Sequence, residues 1–104
     1  MLFKSFFMVS HFLYILYSKS STRYYVGETR NIEERIFKHN QHFYSSSFTK
    51  IANDWELVLL HHCLDRTQAL FLEKFIKKMK SKIFIQKIIS NPEILNEIIS
   101  KNLT

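Results

Sequence analysis

Six consecutive apolar residues, Phe12-Leu13-Tyr14-Ile15-Leu16-Tyr17, set the strongest constraint on this chain. A strand with one wet face alternates apolar and polar side chains, whereas an unbroken run needs cover on both faces. The fold must therefore place material on either side of this segment. Residues 18–23 are polar and short, which predicts a hairpin loop. Residues 24–29 are aromatic and β-branched, a second strand. Gly27, the only glycine in the chain, lies inside it, where glycine marks a bulge or a close backbone approach.

A helix follows. Asn31-Ile32-Glu33-Glu34 fits a capping box, with Asn31 as N-cap and Glu34 three residues on. The helix should run to about Gln41, with Ile32 and Ile36 as its apolar stripe. Arg35 and His39 are four apart and share a face. At 100° per residue, Arg35 lies about 60° and His39 about 20° from Ile32. Both flank the buried stripe.

Residues 42–53 form a polar, serine-containing loop, and Trp55–Cys63 reads as a third strand. Asp65 caps the next helix, with Gln68 at N3. That helix runs to about Met79, with Ala69, Leu72, Ile76 and Met79 facing the core. Glu73 lies about 40° from Ala69, a carboxylate at the edge of an apolar stripe, which is uncommon without a role or a partner. Lys82–Ser90 is a short basic-apolar helix. Asn91-Pro92 restarts a helix whose apolar face is Ile94, Leu95, Ile98 and Ile99. The expected class is α+β in the order β-β-α-β-α-α.

Size limits the organisation. The 104 residues make one domain, with a core over about 11–90 and a C-terminal helical segment over 91–104. Apolar residues at 46% exclude a disordered chain, and one glycine with one proline argue against a turn-rich sandwich. The single Cys63 forms no internal disulfide, which fits a reducing, cytoplasmic setting. Residues 1–17 are apolar with one lysine, but Ser5, Ser10 and His11 interrupt them and no cleavage-site pattern follows. They are also too short to span a bilayer, so neither a leader nor a membrane anchor is expected. A start at Met8 would make residues 1–7 an extension.

Fifteen Lys and Arg against nine Asp and Glu give a net charge of +6, which points to phosphates as partners. Lys74, Lys77, Lys78, Lys80, Lys82 and Lys87 suit a phosphate-tracking surface, or an ordinary solvated helix face. Lys50, Tyr44 and Phe48 in the long loop are further candidates for touching a strand end or base. His61-His62-Cys63 looks like a metal cluster. On a strand, however, His61 and Cys63 share one face and His62 takes the other, and no second cysteine completes a zinc site.

The ordered set Tyr14, then Tyr25-Val26-Gly27 beginning eleven positions later, then Arg35, His39 and Glu73, resembles the GIY-YIG nuclease superfamily. The likeness is to its small stand-alone members and to the excision-repair incision domain. It extends from Phe12 to about Ile89 and includes YYVGET, the FTK…DWELV entry to the third strand, and the ALFLEKFIKKMKS helix. It implies that Tyr14 and Tyr25 are the two motif tyrosines and Gly27 the motif glycine. Arg35 is then the helix arginine, His39 stands where the family has His or Tyr, and Glu73 is the ligand of one Mg²⁺ or Mn²⁺. It implies a small three-stranded mixed sheet flanked by helices, and a divalent-metal-dependent endonuclease acting on DNA, branched or flapped, in a setting of DNA repair.

Two positions depart from the pattern. Glu28 replaces a lysine common in the excision-repair domain, and the first motif, Phe12-Leu13-Tyr14, lacks its glycine. Asn91 is a candidate for the late asparagine of some members. Two other readings compete: a non-catalytic nucleic-acid-binding module of the same fold, and an interaction domain that meets a protein partner or a second copy through Ile94–Ile99. Taken singly, the site residues have bland roles as well, Glu73 as the i,i+4 partner of Lys77 above all.

Overall fold

The computed structural model describes residues 10–42 and 48–103. Most of the apolar N-terminal run, the alternative start at Met8, Tyr44 and the side chain of Phe48 lie outside them.

The unbroken apolar run becomes β1 (His11–Ser18), the middle strand of a three-stranded sheet. β2 (Arg23–Thr29) pairs on one side and β3 (Trp55–Cys63) on the other. Both pairings are antiparallel, so the sheet is not mixed as expected. Alternation divides β1 between two cores. Leu13 and Ile15 enter one with Val26, Leu59 and Cys63, while Tyr14 and Leu16 enter the other with Ala52 and Trp55. Both faces are covered, as the run demanded.

The first face carries the larger core. α2 (Arg66–Met79) lays Ala69, Leu72 and Ile76 on it, and α3 (Lys82–Ser90) and α4 (Glu93–Leu103) add Ile88 and Leu95. Among the described residues three helices follow β3, each at a span read from the sequence, so the order is β-β-α-β-α-α-α and the expected order was one helix short. Met79 does not join the core and stays 48% exposed. It ends the helix, and at Lys80 the backbone turns left-handed, φ 48°. Ile94, Ile98 and Ile99 pack against this same core beside the buried Leu95. The face offered above to a partner is used inside the domain.

The second face is covered by α1 (Ile32–Asn40) and a 3₁₀ turn (Phe48–Ile51). Asn31 caps α1, accepting from Glu34 N at 3.1 Å. The reciprocal half of the box is absent: Asn31 N donates to Thr29 Oγ1 at 3.1 Å, and the Glu34 carboxylate meets Lys38. Asn40 closes the helix onto β3, its amide bonding both Trp55 N at 2.7 Å and Trp55 O at 3.1 Å. A side-chain amide thereby imitates one step of strand pairing.

β3 carries an irregularity that matters to the site. Leu16 faces Leu57 while Ile15 faces Leu59, so Val58 is an extra residue. A bulge of this kind shifts the alternation by one. Trp55 therefore packs under α1, whereas Cys63, eight residues later, packs under α2.

Candidate active site

The two tyrosines sit on the α1 face of neighbouring strands. Tyr14 lies opposite Gly27, and Tyr25 lies opposite Leu16. Their ring centroids are 6.2 Å apart. Gly27 has no positive φ; its role is space. A Cβ there would stand 2.6 Å from Tyr14 Oη and 2.7 Å from Cζ. Of the two expectations for Gly27, the close approach holds, and the atoms that approach belong to Tyr14.

Tyr14 is wholly buried, and its hydroxyl meets His39 Nε2 at 3.0 Å. His39 Nδ1 meets Thr49 Oγ1 at 2.7 Å. Thr49 also accepts from the Trp55 indole through its carbonyl, at 2.9 Å. The result is a buried chain, Tyr14–His39–Thr49, anchored on β1, α1 and the 3₁₀ turn. Burial, and then the nearby Arg35 charge, hold the His39 pKa down at about 4. The ring is neutral near pH 7, one nitrogen donating and the other accepting. Thr49 was not singled out in the sequence, and nothing in a polar loop marks it.

Tyr25 is less buried than Tyr14. Its ring lies 4.7 Å from His39 and edge-on to Trp55 at 6.5 Å. Arg35 is half-buried on the same helix as His39. Glu73 reaches the neighbourhood from α2, on the other side of the sheet. Its carboxylate is 19% exposed and accepts from Lys77 Nζ at 2.6 Å. That ammonium also lies 5.5 Å from the Tyr25 ring centroid. β2 is a sheet edge, and Lys77 connects the two faces around it.

Glu28 points the other way. It sits on the α2 face with His11 Nδ1 at 3.2 Å and Arg66 Nε at 3.7 Å. A lysine at 28 would leave that pair unmet. The cation beside Tyr25 comes from Lys77 instead. His61 and His62 take opposite faces of β3, and burial pushes the Cys63 thiol upward, toward the inert neutral form.

Residues 10–88 match the GIY-YIG catalytic domain. The chain belongs to the GIY-YIG family. A UPF0213 protein of Syntrophus aciditrophicus (strain SB) is 36% identical over 86 residues, covering 83% of this chain and 98% of the relative. No solved structure matches the chain at a significant level. GIY-YIG is a family of nucleases, which generally use divalent metals. In this GIY-YIG domain no helix among the described residues is long and apolar enough to cross a membrane.

Gly27 gives a direct test. Gly27→Ala is expected to destabilise the domain by about 1–3 kcal/mol, the usual range for overpacking. Tyr14 cannot retreat easily, because its hydroxyl is held by His39 and its ring has no solvent to move into. Urea denaturation checks this. An unchanged midpoint would mean that the ring moves freely and that the glycine is there for another reason.

Proposed function

We propose that this chain is a divalent-metal-dependent endonuclease that hydrolyses phosphodiester bonds in DNA and selects branched or flapped substrates by shape. The observation that carries the reading is the asymmetry between the tyrosines. Tyr14 is sealed inside and bonded to His39, while Tyr25 is partly exposed between His39 and Lys77. In this reading Tyr25 takes a proton from water as it attacks phosphorus. A cation near the ring favours the phenolate that this requires. Tyr14, His39 and Thr49 position it by filling the space behind. Arg35 holds a phosphate oxygen through charge-assisted bonds.

Glu73 is the residue that would hold Mg²⁺ or Mn²⁺. Among the described residues no three His, Cys, Asp or Glu gather as a metal cluster. A single hard carboxylate, partly exposed, suits an ion that completes its shell with water and substrate phosphate. The chemistry such an ion supplies when bound is Lewis-acid stabilisation of the leaving oxygen. Lys77 must then release Glu73 and is left to face the phosphate.

The Glu73–Lys77 pair also favours a second reading, a nucleic-acid-binding module without cleavage. The assay that separates them incubates the purified protein with flap, branched and plain duplex DNA and Mg²⁺ or Mn²⁺, beside Tyr25→Phe. Metal-dependent cleavage of the structured substrates, reduced in Tyr25→Phe, is the expected result. Binding without cleavage over several metals would leave the module.

A further inference from the structure

A groove of about 1040 Å³ runs along β2, an edge strand of the sheet among the described residues, with Tyr25 in its lining. One wall is the hairpin with β2, including Thr22, Arg23 and Tyr24; the other is α2 and the start of α3, including Lys77, Lys80 and Lys82. Among the described residues four cations line it and no carboxylate does. Of the seven lysines singled out in the sequence for nucleic acid, Lys77, Lys80 and Lys82 line this groove. Lys50, Lys74, Lys78 and Lys87 are exposed elsewhere, and Arg23, not singled out, joins from the hairpin.

Three further features of the lining cost the fold stability when no ligand is bound. Among the described residues, three that are not glycine have positive φ, and two of them line the groove: Thr22 at 53° and Lys80 at 48°. Glycine usually serves at a left-handed helix end such as Lys80, and a β-branched residue at positive φ is an outlier. Second, α3 has Lys82 and no acidic residue in its first turn, where its own dipole disfavours a cation. Third, the Ser21 hydroxyl in the hairpin wall is shielded from solvent without a hydrogen-bond partner.

The hairpin wall is also preformed. Asp54 accepts from Ser18 Oγ at 2.6 Å and from Ser20 N and Oγ, each at 2.9 Å. Those bonds hold its carboxyl below the usual carboxylate range. Lys82 Nζ crosses the groove to the Thr22 carbonyl at 3.1 Å. The groove therefore has fixed walls, positive charge, and two tyrosines, Tyr24 and Tyr25, on its lining.

We infer that the β2-edge groove binds a single nucleic-acid strand, the unpaired continuation of the strand cut at Tyr25. This rests on the nuclease reading above and names how its substrate is chosen. A duplex carries its phosphates on a convex cylinder, whereas an unpaired strand can bend its backbone to follow a concave path. A single strand enters with its phosphates on the cations and its bases against aromatic faces, as in other single-strand channels. Selection of flaps over plain duplex then follows from the fold.

The test is fluorescence anisotropy of the full chain with a labelled single-stranded oligonucleotide and with a duplex, without divalent metal, across a salt series. The variant is Lys80→Gly/Lys82→Gln; the control is Lys74→Gln/Lys78→Gln, which removes the same charge outside the groove. The groove variant is expected to bind single strands more weakly. Its log–log salt slope should be shallower by about 1.4, two contacts at about 0.7 each. Duplex binding should change little, and so should the melting temperature, since glycine relieves the backbone at position 80 and Lys82→Gln gives up only the exposed bond to the Thr22 carbonyl. Equal weakening by the control, or equal loss for single strand and duplex, would overturn the groove while leaving the nuclease reading to its own assay. A wild-type chain that cleaves flaps but binds single strands no better than the groove variant also overturns the groove alone. A wild-type chain that binds no nucleic acid overturns both.

Discussion

Glu73→Gln is expected to reduce metal-dependent cleavage by about 10²–10³-fold, the loss typical of one electrostatic stabiliser in an active site. Glutamine keeps the shape and one oxygen but gives up the charge that a hard cation requires. Stability should change little. The pair with Lys77 is an i,i+4 pair on a helix surface, and such pairs contribute only about 0.3–0.5 kcal/mol. That separates the variant from a folding defect: the melting curve stays in place while the rate drops. Single-turnover cleavage of one flapped substrate checks it. The same substitution releases Lys77 to face phosphate, so DNA affinity should hold or rise. Cleavage at the wild-type rate would remove Glu73 from the site, and a rate loss matched by a loss of binding would make its part positional.

The pairing of Glu73 with Lys77 shows what a sequence can and cannot carry. Helical spacing made that pair visible, and the same spacing placed Arg35 and His39 beside the buried stripe. The strand run, the N-caps Asn31 and Asp65, and the spans Trp55–Cys63 and Lys82–Ser90 were legible because each rests on local chemistry. The antiparallel order was not, because strand direction depends on where the chain travels between elements.

The bulge at Val58 was hidden for a related reason. A strict period of two puts Trp55 and Cys63 on one face, and only the pairing with β1 shows that they part. Thr49 escaped notice because its function comes from meeting His39, ten residues away across a turn. The edge groove unites Arg23 with Lys80, from opposite ends of the domain's chain order. Composition announced the charge but not its arrangement. Glu28, which looked like a defect at the site, faces the other side of the sheet.

Acid should destabilise this domain through His39. The group is 1% exposed and its folded pKa is about 4, against 6.5 for a free histidine. The sign follows from proton counts. Between pH 6.5 and 4 the unfolded chain holds the proton and the folded chain does not, so lowering the pH favours unfolding. Above 6.5 neither state is protonated and the effect is absent; below 4 both are, and it no longer grows. A difference of about 2.5 pKa units corresponds to about 3 kcal/mol lost across that window. Protonation has no steric or hydrogen-bonding obstacle, since Tyr14 and Thr49 hydroxyls can both accept from an imidazolium. The opposition is desolvation, with Arg35 adding repulsion. Arg35→Gln should therefore raise the folded pKa and narrow the window from below. His61 is lowered too, by burial and by His62, and contributes a loss of the same sign. His39→Gln, which can still bond Tyr14 and Thr49, isolates the larger part. Urea denaturation at half-unit steps from pH 7.5 to 4 should give a wild-type slope clearly steeper than that of the variant. Parallel slopes would mean that His39 is charged within the fold, and that the neutral imidazole behind Tyr25 is not what holds the site in place.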